Sequence, residues 1–152
     1  MSRIRILVAD DNEAIREILI SKLSNRFDDI TAVADGGEAL AAAKRLSPDL
    51  AILDISMPVL NGIEVARHLR RTSEYTALVF LTACTDVDVF DEAVATGAAA
   101  YVLKSRLGTD LMPAIELALA GLRFVSPELL DVCEDGHASA KVNSGSPLLS
   151  PQ

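Results

Sequence analysis

Short apolar runs alternate with longer amphipathic ones along this chain. Ile4 to Ala9 is apolar except at Arg5 and stops at Asp10, Asp11 and Asn12, which predicts a buried strand. Ile15, Ile18, Leu19 and Leu23 then recur at helical spacing. Ile30 to Ala34 predicts a second strand. Asp35-Gly36-Gly37 reads as a turn into a helix carrying Ala39, Leu40, Ala43 and Leu46, and Pro48 breaks that helix. Leu50 to Leu53 predicts a third strand, closing on Asp54. A loop over Pro58 to Gly62 leads to a helix marked by Ile63, Ala66 and Leu69. Ala77 to Leu81 predicts a fourth strand. The helix after it bears Val87, Phe90, Ala93 and Val94, with Gly97 as its C′ residue. Ala100 to Leu103 predicts a fifth strand, and Leu111, Ile115, Ala118, Leu119 and Leu122 define the fifth helix.

Apolar runs without alternation imply strands buried on both faces, hence a parallel sheet between helices. Right-handed crossovers then favour a doubly wound α/β fold with five strands. After Gly121 the character changes. Ser126-Pro127-Glu128 predicts a short extra helix through Val132, with Ser as N-cap and Pro at N1. From Glu134 onward the chain is rich in Gly, Ser, Ala and Pro and reads as a flexible linker. The expected division is residues 1–122, a helix within 123–133, and a linker over 134–152.

A chain of 152 residues, half of them hydrophobic, suits one domain with a short appendage. Cys84 and Cys133 make no disulfide framework and read as reduced, small, semi-buried residues. A net charge of −8 argues against this piece gripping a phosphate backbone unaided. The first ten residues lack a signal peptide's long apolar region, and no run reaches membrane-spanning length. The expectation is a cytoplasmic protein with no membrane partner.

In an open parallel sheet, chemistry gathers beyond the carboxyl ends of the strands. Here those ends carry Asp10 and Asp11, then Asp54, then Thr82, then Lys104. Three carboxylates at one edge repel one another and call for a cation. Oxygen ligands without His or Cys suit Mg²⁺. Lys104 brings a second positive charge, Thr82 a hydroxyl, and Ala9 and Ala83 leave room. A carboxylate so placed is a competent phosphoryl acceptor. Each residue also has a plainer reading: an acid or Thr at a strand end often caps a helix, as Asp11 and Thr85 would. Periodicity alone leaves both readings open. His68, among Arg67, Arg70 and Arg71, reads as part of a solvated helix face, and His137 as a linker residue.

The order of motifs resembles the receiver domains of two-component response regulators from about Ile4 to Leu122. The matching stretches are VADDNE at 8–13, LDISMPVLNG at 53–62, LTA at 81–83 and GAAAYVLK at 97–104. The resemblance implies a flavodoxin-like (βα)5 fold of strand order 2-1-3-4-5. It implies that Asp54 is phosphorylated by a sensor histidine kinase. It implies that Asp10, Asp11, Asp54 and the backbone carbonyl of Ser56 hold Mg²⁺. Lys104 and Ala83 would contact the phosphoryl group, Thr82 would be the switch hydroxyl and Tyr101 its aromatic partner. Met57 and Pro58 would shape the loop at Ser56, and Gly62 would serve a tight approach to the next helix.

GLRFVSPELL at 121–130 is similar to the end of receivers in the NarL/FixJ class, whose effector is a LuxR-type helix-turn-helix. PLLSPQ at 147–152 resembles the opening of that DNA-binding domain. The implied whole is a transcription regulator that dimerises on phosphorylation and meets DNA through a domain absent from this chain. Two rival readings are a stand-alone receiver acting through protein binding and a Mg²⁺-dependent phosphatase with an aspartyl-phosphate intermediate. Against the latter, the loops after the strands are short and offer no lid.

Overall fold

The computed structural model describes residues 3–72, 75–83, 87–127 and 129. Strands β1 (Arg5–Ala9), β2 (Asp29–Val33), β3 (Leu50–Asp54), β4 (Ala77–Thr82) and β5 (Ala100–Leu103) alternate with helices. These are α1 (Glu13–Leu23), α2 (Gly36–Leu46), α3 (Gly62–Thr72), α4 (Val87–Ala95) and α5 (Leu107–Leu119). A sixth short strand, β6 (Phe124–Val125), comes after α5 and lies where the sequence suggested only the approach to a helix. The strand order is β2-β1-β3-β4-β5-β6, a flavodoxin-like α/β fold with the expected order extended by one strand. The chain divides into two compact units, with the boundary inside β4 between Leu78 and Val79.

In the first unit β1 pairs in parallel with both β2 and β3, with Ile6 opposite Ile30 on one side and Leu50 on the other. β3 is buried along its whole length and β1 everywhere but Arg5. Burial on both faces is why these strands carry continuous apolar runs. α1 is capped by Asn12, whose side chain accepts from the Ile15 amide, and not by Asp11. Leu19 and Leu23 face the core, while Ile18, expected beside them, is 42 % exposed. Asp35 proves more than a turn residue. Its carboxylate accepts from Glu38 N at 2.8 Å, and Glu38 accepts in return from Ala34 N at 2.9 Å. The Glu38 amide, which the helix start leaves unpaired, and the Ala34 amide just before the cap are thereby satisfied. At the start of α3 the pair is fully reciprocal: Glu64 N donates to Asn61 Oδ1 at 2.8 Å, and Asn61 N to Glu64 Oε1 at 2.9 Å. Of the basic cluster on α3, Arg70 is not merely solvated: its guanidinium donates to the Thr76 carbonyl at 2.9 Å.

In the second unit β5 pairs in parallel with β4 and with β6, so that Tyr101 lies between Phe80 and Val125. Gly97 adopts φ +79° just past α4, as expected of a C′ glycine. α5 stops sooner than the apolar spacing suggested, leaving Leu122 outside it and 40 % exposed. The cause is Gly121. With φ +81° it lets Leu122 N reach Leu117 O at 2.8 Å while its own amide bonds Ala118 O at 3.1 Å. That pairing closes a helix C-terminus and forbids its continuation. Beyond Ser126, Pro127 and Leu129 take helical geometry. The rest of the expected extra helix, the linker and PLLSPQ fall outside the described residues, as do Cys84, Thr85, Cys133 and His137. No helix among the described residues is long and apolar enough to cross a membrane.

Candidate functional site

The first unit gathers three of the expected site residues. Asp10 comes directly after β1 and is fully buried, and Asp54 ends β3 at 2 % exposure. Asp11 is exposed. Each offers a carboxylate oxygen, and those oxygens lie within 4.8 Å of one another. Local backbone geometry orients two of them. Asp10 Oδ1 accepts from Asn12 N at 2.9 Å, and Asp54 Oδ1 accepts from Ser56 N at 3.2 Å. Arg16, not foreseen in the sequence, reaches back from α1 to donate to the Asp10 carbonyl at 2.8 Å.

The chain just past β3 constrains Asp54 further. Gly62 opens α3 directly against the end of β3, and a Cβ there would overlap the Asp54 carbonyl oxygen. Its amide donates to Ile55 O at 2.9 Å. The intervening loop holds Met57 buried, and the Pro58 carbonyl accepts from Gly36 N and Leu60 N. Val59 takes the left-handed conformation at φ +73°, which lets the loop double back toward Asn61. The Asn-Gly pair thus divides its labour: Asn61 caps the helix and Gly62 permits its contact with the strand.

The donor set is all oxygen, with two of the three carboxylates buried. Such a set favours a hard divalent cation, and the mutual repulsion of the carboxylates is what that cation would relieve.

The second unit carries the remaining residues. Thr82 ends β4 and is buried, Ala83 is exposed, and Lys104 is half-buried at the start of a 3-10 turn over Lys104–Arg106. Tyr101 is 2 % exposed. Its hydroxyl donates toward Ala98 O at 3.1 Å and Ala93 O at 3.3 Å. The Phe90 ring meets it edge-on with centroids 5.3 Å apart, and Phe80 lies at 6.0 Å. Tyr101 therefore stands packed inward, with its polar end satisfied by backbone.

Known proteins match this arrangement. The family described as the response regulator receiver domain matches residues 6–116. The response regulator GacA of Pseudomonas viridiflava is 33 % identical over 129 residues, covering 83 % of this chain and 60 % of that protein. The transcriptional regulatory protein LnrK of Bacillus subtilis (strain 168) is 34 % identical over 128 residues, 83 % of this chain and 58 % of its own. Among solved structures, a two-component response regulator of the LuxR family from Aurantimonas sp. SI85-9A1 superposes with a TM-score of 0.81 at 31 % identity. It covers 88 % of this chain and 98 % of that one. The receiver domain of the response regulator NarL from Mycobacterium tuberculosis gives 0.74 at 28 % identity, covering 80 % and 99 %. The chain belongs to the response regulator receiver domain family. It spans about 60 % of the length of these curated relatives.

Proposed function

We propose that this chain is the phospho-accepting input of a two-component transcription regulator, with Asp54 as acceptor. A sensor histidine kinase presents a phosphohistidine. A carboxylate oxygen of Asp54 attacks the phosphorus in line, the P–N bond breaks, and its electron pair stays on the imidazole. Asp10, Asp11, Asp54 and the Ser56 carbonyl would hold Mg²⁺, which would supply positive charge to neutralise phosphoryl oxygens. Lys104 supplies a second positive charge, the Ala83 backbone lies beside the phosphoryl group, and Thr82 donates its hydroxyl to it. Thr82 is drawn toward the phosphoryl group, and Tyr101 takes the space that it vacates. The changed face favours a homodimer. In the whole protein a LuxR-type helix-turn-helix comes next and meets DNA, consistent with the regulators this chain resembles. The protein works in the cytoplasm, where its kinase delivers the phosphoryl group. The observation that carries this reading is the convergence of three carboxylates, two of them buried, within 4.8 Å.

The test is incubation of the chain with acetyl phosphate and Mg²⁺. A hydroxylamine-sensitive phosphoryl group should appear and map to Asp54, and EDTA should prevent it. A phosphoryl group on any other residue, or one indifferent to EDTA, overturns the assignment.

The carboxylate repulsion yields its own prediction for Asp10→Asn. The amide keeps an oxygen for the Asn12 N–H but removes one buried charge. Two charges at this spacing repel by about 1–3 kcal/mol at a partly buried site. The metal-free variant should therefore be more stable than metal-free wild type. Mg²⁺ at about 100 times its Kd should add about 2.7 kcal/mol to the wild type and far less to the variant. Denaturant melts with and without Mg²⁺ measure both, and an equal Mg²⁺ response would remove Asp10 from the ligand set.

A further inference from the structure

The segment after α5 does not simply leave the domain. β6 runs parallel along β5, with Phe124 N donating to Ala99 O at 3.0 Å and Ser126 N to Tyr101 O at 2.9 Å. Ser126 is then fully buried, an unusual place for a serine at the end of an edge strand. Its hydroxyl does two things. It accepts the Leu103 amide at 3.1 Å and donates to Asp110 Oδ2 at 2.7 Å. Asp110, in the first turn of α5, is only 6 % exposed. Its other oxygen accepts from Thr109 Oγ1 at 3.0 Å, and Arg106 lies 3.7 Å from Oδ2.

Leu103 is the last residue of β5 and the residue before Lys104. It also stands at the N-terminus of the Lys104–Arg106 turn, where it supplies no side-chain cap. With β6 stopping at Val125, the Leu103 amide takes its acceptor from a side chain one residue further on, not from a strand. The amide of Leu103, one peptide unit before the link to Lys104, is thus held by one hydroxyl, and that hydroxyl is held by a buried carboxylate on α5. A charge-assisted bond of this kind is short and directional, so it locks the serine rotamer.

We propose that Ser126 is a positioning residue for Lys104, and that through it the segment leaving the domain is coupled to phosphoryl uptake. This rests on the reading of Lys104 given above. Ser126 touches neither phosphodonor nor cation; it acts by fixing the backbone from which Lys104 extends. Because coupling is reciprocal, whatever pulls on the chain beyond Pro127 changes the site, and occupation of the site changes the hold on that chain.

The experiment compares initial rates of phosphorylation by acetyl phosphate at saturating Mg²⁺. Ser126→Ala leaves the Leu103 amide buried without an acceptor and should slow uptake about tenfold, as small displacements of a charge-stabilising group do. Ser126→Thr retains the hydroxyl and should stay within about twofold of wild type. In a Lys104→Ala background, Ser126→Ala should cause no further loss, the mark of two residues acting as one unit. Mg²⁺ affinity should be unchanged throughout. Should Ser126→Ala lose its fold by circular dichroism, Asp110→Asn carries the same comparison, since it weakens the lock on the hydroxyl. A wild-type rate in both variants overturns the proposal, as does an equal fractional loss with and without Lys104. Failure of the wild type itself to label on Asp54 overturns the acceptor reading beneath it.

Discussion

Asp54→Asn is expected to abolish phosphoryl uptake while leaving the fold intact. The side-chain amide retains an oxygen in the position that accepts Ser56 N, so the turn after β3 keeps its hydrogen bond. The variant's volume is almost unchanged at a site only 2 % exposed, which leaves the packing of β3 undisturbed. What disappears is the nucleophile. A carboxamide has neither the charge nor the available electron pair to form an acyl phosphate. Labelling from acetyl phosphate and Mg²⁺ should fall by at least about a hundredfold, a loss of about 2.7 kcal/mol or more in transition-state stabilisation. Circular dichroism and the denaturation profile should remain those of a folded domain. Labelling at the wild-type level would mean that Asp10 or Asp11 takes the group instead, since both have carboxylate oxygens within the same 4.8 Å cluster.

How much of this was legible depended on whether the cause was local. β1 and β3 were plain because burial on both faces forces an unbroken apolar run, and Asp10 and Asp54 stood out as the polar residues that end those runs. The boundary between cap and site was less plain. Asp10, Asp11 and Asn12 are adjacent and all suit a helix start, so only the geometry shows that Asn12 caps α1 and leaves both acids to the cluster. The helix starts at Asp35 and Asn61 carried a readable signal, an acid three residues on, that the turn and loop readings passed over. β6 had no such signal. Two residues show no period, and their partners on β5 lie more than twenty positions earlier. The burial of Asp110 is equally non-local: its partner Ser126 is 16 residues away and looks in sequence like an ordinary helix cap. Phosphotransfer roles themselves came from the order of motifs, because three acids and a lysine are chemically compatible with several reactions.

Gly62→Ala should damage the fold severely, because the added methyl group meets the backbone of Asp54 itself. A Cβ at this position overlaps the Asp54 carbonyl oxygen and lies 3.0 Å from both the Asp54 carbonyl carbon and Ile55 Cα. Every one of these atoms is backbone, so no side chain can rotate away. Relief requires α3 to retreat from β3, which breaks the Gly62 N to Ile55 O bond and pulls at the Asn61–Glu64 cap. Overpacking of this kind costs about 1–3 kcal/mol where side chains can adjust, and more where they cannot. A loss of about 3 kcal/mol or more lowers Tm by about 10 °C. Gly108→Ala is the matched control. It lies in the first turn of α5 with nothing within 4 Å of an added Cβ, so it should gain up to about 1 kcal/mol from reduced backbone freedom in the unfolded chain. The two variants therefore move thermal stability in opposite directions. Gly62→Ala should also weaken Mg²⁺ binding, because the carbonyl it displaces belongs to the residue whose carboxylate completes the cluster. If Gly62→Ala melts at the wild-type temperature and binds Mg²⁺ with wild-type affinity, the contact between α3 and the end of β3 does not set the position of Asp54.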